Sequence, residues 1–191
     1  MPSIFIHLCQ PPTNTGGNSR HSGFTLIELL MTIVIASVLM LVATPSFVQF
    51  QRNAKLSDSV SSFITAANAA RANAMKQGIN TYLIPVTGTD WSSGWMVYAD
   101  TNWSKTYNSD TETVILSHEP ISADVIITTP TASTLASGYL LFNGSGYPRD
   151  NNNAMAAGTI VMKNTDLSKS ISIIIDNTGR VRSCKTGSTG C

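Results

Sequence analysis

The chain has 191 residues, of which 42% are hydrophobic and 12% are charged. The charged fraction is about half of what a globular domain usually carries. Because the formal net charge is only +1, a global electrostatic attraction to nucleic acid or to a membrane is not indicated. Any basic partner site must therefore be local.

The N-terminal part of the chain is a polar segment, residues 1–23, followed by an apolar run from Phe24 to Ala43. The run holds 20 residues and one charge, and about 20 helical residues span the roughly 30 Å hydrocarbon core of a bilayer. Arg20 and His21 precede the run in a segment without acidic residues, and such positive charge stays in the cytoplasm. We therefore predict one transmembrane helix over 24–45, with the C-terminal part exported.

The predicted cleavage site lies before this helix. A secretory signal has a shorter apolar core with small residues after it, whereas here Gly23 precedes the core. Cleavage between Gly23 and Phe24 would leave the whole helix on the mature protein. Glu28 then lies one helical turn from the new N-terminus, where a carboxylate inside a membrane helix marks a functional position. Either it pairs with a terminal amino group, or it reaches the interface by snorkelling.

The residues from Gly23 to Leu30 read GFTLIELL, which resembles the prepilin cleavage motif of type IV pilins and type II secretion pseudopilins. The resemblance implies that a prepilin peptidase removes residues 1–23 and N-methylates Phe24. It implies that Phe24 and Glu28 set the helix register among other pilins in a filament. It also implies a bacterial inner-membrane protein with a periplasmic domain and no cofactor. Pro45 fits the family, because proline lacks the N–H that a helix interior requires.

A second helical pattern continues over 46–78. Its apolar residues recur at alternating spacings of four and three, which predicts one buried stripe: Leu56, Val60, Phe63, Ala67, Ala70 and Ala74. Gly78 is the predicted C-cap.

Residues 79–191 are predicted to form a β-rich globular domain with a C-terminal tail. Short β-branched and aromatic runs predict strands near 81–86, 95–99, 113–118, 125–128, 139–142, 159–163, 171–176 and 180–183. No helical pattern of 10–15 residues separates these runs, so we predict an α+β fold with the long helix packed on an antiparallel sheet. Trp91 and Trp95 are predicted core residues.

Several later stretches narrow the resemblance. WSSGWMVYAD from Trp91, ETVIL from Glu112, RANAMK from Arg71 and GRVR from Gly179 resemble the FimT/GspH group of minor pilins and pseudopilins. Within the FimT branch, a Gly-Arg-x-Arg tail is associated with DNA binding in natural transformation. The alternative implied function is a structural minor pseudopilin at the tip of a type II secretion pseudopilus.

The tail from Asn177 onwards carries Arg180, Arg182 and Lys185 and no acid. In an extended strand, residues two apart point the same way at about 7 Å, close to the phosphate spacing of one DNA strand. We predict a non-specific DNA site at these three residues, with a salt dependence of roughly −3 on a log–log scale. The alternative is a solvated edge strand. Three further cations could extend the patch: Arg149, Lys163 and Lys169.

The three cysteines are Cys9, in the predicted leader, and Cys184 and Cys191 in the tail. In an oxidising compartment the last two can form a disulfide, and two free thiols are the alternative. They supply too few ligands for a zinc site.

Catalysis is not expected. His118 and Glu119 are neighbours in a strand pattern and point to opposite faces, which makes a poor catalytic pair. We find no nucleophile elbow, phosphate loop or metal-ligand cluster in the sequence.

Overall fold

The computed structural model describes residues 23–128 and 133–189. The chain divides into two compact units between Ala43 and Thr44. Its elements, in chain order, are α1 (Leu26–Gln77), β1 (Thr81–Thr87), β2 (Asp90–Ala99), β3 (Val114–His118), β4 (Val125–Thr128), β5 (Leu140–Phe142), β6 (Pro148–Arg149), β7 (Gly158–Asn164), β8 (Ser170–Ile175) and β9 (Val181–Lys185).

Helix α1 contains both sequence patterns, and Pro45 lies inside it. For membrane crossing, α1 is considered as two parts, Leu26–Leu41 and Thr44–Gln77. By length and composition, no single helix in the described part of the chain is long and apolar enough to cross a membrane, but these two parts together meet that requirement. The helix ends as predicted at Gly78, whose φ is +71° and whose N–H donates to the Ala74 carbonyl oxygen at 2.8 Å. A left-handed glycine of this kind is a common C-cap.

The strands form two antiparallel sheets instead of the single sheet that the sequence suggested. The larger has the order β3-β2-β1-β5-β6, and the smaller has the order β4-β7-β8-β9. The α+β class is confirmed, because every strand pair is antiparallel. Two strands differ most from the prediction. Strand β2 begins at Asp90 instead of residue 95, and the two-residue strand β6 was not predicted.

The main core lies between the second half of α1 and both sheets. The predicted stripe is buried along its whole length, from Leu56 to Ala74. Phe63 makes edge-to-face contacts with Trp91 and Trp95, each with ring centroids 5.4 Å apart. The Trp91 Nε1–H donates to the Leu135 carbonyl oxygen at 2.8 Å, which satisfies a polar group that burial would otherwise penalise. The predicted core role of both tryptophans is confirmed.

A second, smaller cluster covers the opposite face of the five-stranded sheet. Tyr82 and Tyr98 stack there at 5.3 Å, and burial raises the pKa of both phenols. The loop between β2 and β3 lies over them and begins and ends at two buried carboxylates, Asp100 and Glu112. Asp100 accepts from the Ser104 N–H at 2.9 Å, and Glu112 accepts from the backbone N–H of residue 108 at 2.9 Å. These bonds fix the loop's course.

Candidate functional site

The N-terminal end of α1 has a capping box around the predicted assembly residue. The Glu28 N–H donates to the Thr25 hydroxyl oxygen at 3.3 Å, and the Thr25 N–H donates to the Glu28 carboxylate at 3.4 Å. The carboxylate satisfies the Thr25 N–H, a donor that a helix start leaves without a backbone partner, whereas the Glu28 N–H also donates to the Thr25 carbonyl oxygen at 3.1 Å. Phe24, immediately before it, is 81% exposed. Glu28 therefore caps the start of its own helix.

The C-terminal site is built on β9, an edge strand of the four-stranded sheet. Arg182 lies opposite Ile174 on β8, and Arg180 is exposed just before the strand begins. Strand alternation places the two arginines on the outer face. An acid reaches this face as well, because the Arg182 Nε lies 3.8 Å from the Asp176 Oδ2. Asp176 is one residue outside the stretch in which the sequence showed no acid.

The third predicted DNA-binding residue, Lys185, lies on the other face of β9. It shares that face with Ser183 and with Val181, which packs against the main core. Lys185 lines a cleft with Gln49 and Asn53 of α1. The structure therefore brings Arg180 and Arg182 together and separates Lys185 from them.

The additional cations do not join the arginines either. Lys163 is on the outer face but pairs with Ser170, four residues along β7 from the row of Arg182, or roughly 13 Å. Arg149 belongs to the other sheet, and Lys169 lies in the turn between β7 and β8.

The turn between β8 and β9 is fixed by the end of α1. Arg71 donates from Nε to the Gly146 carbonyl oxygen at 3.0 Å and from a terminal nitrogen to the Thr178 carbonyl oxygen at 3.1 Å. Charged donors of this kind are stronger than neutral ones. Gly179 is buried beneath this contact with φ +79°. Two stretches that sequence reasoning treated only as family signatures therefore form one tertiary contact that orients the arginine strand.

Cys184 is disulfide-bonded. Its predicted partner Cys191 lies outside the described residues, as does Cys9, so the predicted pairing stays a prediction. The tail is also held by Thr186, which hydrogen-bonds the hydroxyls of Ser170 and Ser172, each at 2.9 Å.

His118 has a packing role. Its ring stacks on Trp95 with centroids 4.3 Å apart, and its Nδ1 lies 2.6 Å from the Glu119 carbonyl oxygen. Within the described ranges, no group of three or more His, Cys, Asp or Glu side chains is arranged to hold a metal ion.

Comparison with known proteins places this geometry in a family. The model described as "Type II transport protein GspH" matches residues 59–179, more than half of the chain. The chain belongs to the GspH family. A prokaryotic N-terminal methylation motif matches residues 18–44, so this GspH-family chain is a type IV pilin-like minor pilin or pseudopilin.

Individual proteins are similar to this chain in a short segment or in fold. The type IV major pilin protein PilA of Myxococcus xanthus is 43% identical over 42 residues, which span 22% of this chain and 19% of that relative. Crystal structures of the type IV minor pilin FimU of Pseudomonas aeruginosa match with TM-scores of 0.52 and 0.54 at 16% and 14% identity. They cover 70% and 69% of this chain, and 90% and 98% of FimU. The type IV pilin fold is therefore confirmed.

Proposed function

We propose that this GspH-family chain is a minor subunit held in the bacterial inner membrane by its N-terminal helix until it is assembled into a filament. In this proposal, a prepilin peptidase cuts between Gly23 and Phe24 and methylates the new terminus. Residues 24–45 cross the membrane, and residues 46–191 lie in the periplasm. The match to the N-terminal methylation motif supports this sequence of events.

We propose that Glu28 has a role both before and after cleavage. Before cleavage, its carboxylate accepts from the Thr25 N–H. Cleavage creates a charged amino group at Phe24, four residues away. In the low dielectric of a membrane or filament core, that cation is a stronger partner than a neutral amide. We propose that the carboxylate then pairs with the Phe24 amine of a neighbouring pilin and sets the register of the helix.

We further propose that the outer face of β9 binds the DNA backbone without sequence specificity and aids DNA uptake in natural transformation. The supporting observation is that Arg180 is exposed beside Arg182 on one face, where two guanidinium forks can each grip a phosphate. With two phosphate contacts instead of three, the expected log–log salt slope is about −2.

The second candidate is a structural minor pseudopilin at the tip of a type II secretion pseudopilus. The pairing of Arg182 with Asp176 favours this role, because a neutralised arginine attracts a phosphate less strongly. In that case the arginine face contacts other pseudopilins instead of DNA.

The deciding experiment is electrophoretic mobility of labelled DNA with the full chain in nanodiscs, at low and moderate salt. Wild type is compared with the double variant Arg180→Ala/Arg182→Ala. The matched control is Lys76→Ala/Lys105→Ala, which removes the same charge outside the arginine face, because both lysines are exposed and lie away from β9. Loss of binding only in the arginine variant would support the DNA proposal. No wild-type binding at low salt would leave the structural pseudopilin, and equal loss in both variants would mean that the arginine face is not the DNA site.

A further inference from the structure

The turn between β7 and β8 is attached to α1 close to the end of the apolar run. The Gln49 Nε2 donates to the Ser168 hydroxyl oxygen at 2.5 Å, and Gln49 is six residues beyond Ala43. Six helical residues advance about 9 Å, and the headgroup layer on each side of a bilayer is about 5–8 Å thick. If the apolar run crosses the membrane, chain connectivity therefore keeps Gln49, and the turn attached to it, within reach of the lipid headgroups.

The residue at the tip of the turn is a leucine in a backbone conformation that favours glycine or asparagine. Leu167 has φ +60°, a conformation in which glycine or asparagine is usual. Its side chain is 65% exposed, so burial in the core does not offset the backbone strain. An exposed leucine held on a tight turn is suited to insertion at the boundary between headgroups and acyl chains.

The acids near this turn are engaged with helix cations. Asp166 lies 3.2 Å from Arg52, and Asp124 lies 2.6 Å from Lys55. The pKa of the Asp166 carboxyl is held below its usual range, chiefly because the Ser168 N–H donates to it. These carboxylates are thus ionised at neutral pH and matched by cations.

Two lysines at this end of the unit lie outside these ion pairs. Lys169 and Lys185 line a cleft of about 560 Å³ with Gln49, Asn53 and serine hydroxyls. Among the described residues, neither lysine makes a salt bridge. Lysine beside hydroxyl and amide groups is suited to a phosphate group, and each lysine near an anionic bilayer contributes about 1 kcal/mol, roughly fivefold in occupancy.

We propose that the Leu167 turn and the Lys169/Lys185 cleft together form a docking surface for anionic lipid headgroups. Leu167 enters the interface, and the two lysines bind lipid phosphates. The surface holds the periplasmic unit against the bilayer while the subunit awaits extraction into the filament. This inference rests on the membrane anchoring proposed above.

The test is lysine acetylation of the full chain, quantified residue by residue by mass spectrometry, in nanodiscs of phosphatidylcholine or of phosphatidylglycerol. We expect Lys169 and Lys185 to react about fivefold more slowly in phosphatidylglycerol discs. Lys76 is the internal control, because it lies 27 residues beyond Gln49 on the same helix, about 40 Å from the proposed docking surface. Its rate should not change. Leu167→Asn, which suits the left-handed turn, should reduce the protection of both lysines.

Each other outcome overturns a distinct part of the proposal. If the chain does not co-elute with nanodiscs, both membrane anchoring and the docking surface are wrong. If it co-elutes but the lysine rates are the same in both lipids, only the docking surface is wrong. If inorganic phosphate added to phosphatidylcholine discs gives the same protection, the cleft binds free phosphate instead of a lipid surface. If Leu167→Asn keeps full protection, insertion of the leucine is wrong.

Discussion

Arg71 lies directly against Gly179, although 108 positions separate them in the chain. A β-carbon on Gly179 would lie 3.0 Å from the Arg71 Nε and 2.4 Å from the Gly146 carbonyl oxygen. The glycine that precedes Arg180 and Arg182 is thus required by packing. It allows the helix end to hold the turn from which β9 starts.

Gly179→Ala should destabilise the fold more than its backbone conformation alone requires. A left-handed alanine costs about 1–2 kcal/mol, and the clash with Gly146 adds to this. Gly187→Ala is the matched control, because Gly187 has φ +81° and a β-carbon added to it would have no atom within 4 Å. In denaturant unfolding in detergent, we expect Gly187→Ala to lower the free energy of unfolding by about 1–2 kcal/mol. Gly179→Ala should lower it clearly more. Equal losses would contradict the packing role.

Phe63 is predicted to be a principal core residue. Phe63→Ala removes a fully buried ring from its contacts with Trp91 and Trp95 and should cost about 3–5 kcal/mol. Phe50→Ala on the same helix removes an exposed ring and should change stability by less than about 0.5 kcal/mol. Unfolding followed by tryptophan fluorescence compares the two. A small effect of Phe63→Ala would mean that the core repacks around the missing ring.

Glu28→Gln separates capping from charge. Glutamine completes a capping box as glutamate does, but it cannot form an ion pair with the Phe24 amine. We expect Glu28→Gln to be cleaved normally and to be incorporated poorly into filaments, like Glu28→Ala. Immunoblots for the processed form and for sheared filaments measure both steps. Normal incorporation of Glu28→Gln would show that the carboxylate matters only as a cap.

Acid should weaken the contact between α1 and the segment that precedes β4. The pKa of the Asp124 carboxyl is held below its usual range, chiefly by the hydrogen bond from Lys55. The stabilisation is therefore complete above the unfolded value of about 3.9 and is lost as the pH falls through the lower folded value. Denaturant midpoints at about pH 6 and about pH 3 should differ less for Asp124→Asn than for wild type. If the two midpoints differ as much in Asp124→Asn as in wild type, groups other than Asp124 cause the acid sensitivity.

Asp176→Asn should strengthen DNA binding if the arginine face is the site. The substitution removes the ion pair with Arg182 but keeps the backbone bond in which the Asp176 N–H donates to the Arg180 carbonyl oxygen at 3.0 Å. An exposed pair of this kind is worth up to about 1 kcal/mol, so affinity should rise by up to about fivefold. Mobility shifts at fixed salt measure the change. Weaker binding would place the DNA elsewhere.

Two features were present as sequence signals and were missed. Thr25 followed three residues later by Glu28 is a capping-box pattern, and the structure shows both of its hydrogen bonds. The separation of Lys185 from Arg180 and Arg182 follows from alternation along a strand. The predicted site of three cations therefore combined residues that lie on opposite faces of β9.

The sequence alone determined the features that depend on residues close together in the chain. These are the processing motif at Gly23 and Phe24, the apolar run, the buried stripe from Leu56 to Ala74 and the positions of most strands. Helical and strand periodicities repeat within a few residues, so they are legible without a partner.

Only the tertiary structure decided which strands share a sheet, which acid reaches Arg182, and that Arg71 supports the turn at Gly179. It also placed Lys185 and Gln49 in one cleft. Strand partners depend on the packing of segments that are far apart in sequence. For example, β1 pairs with β5, although β2, β3 and β4 lie between them in the chain. Such choices depend on how the shared core is filled, and local periodicity carries no information about them.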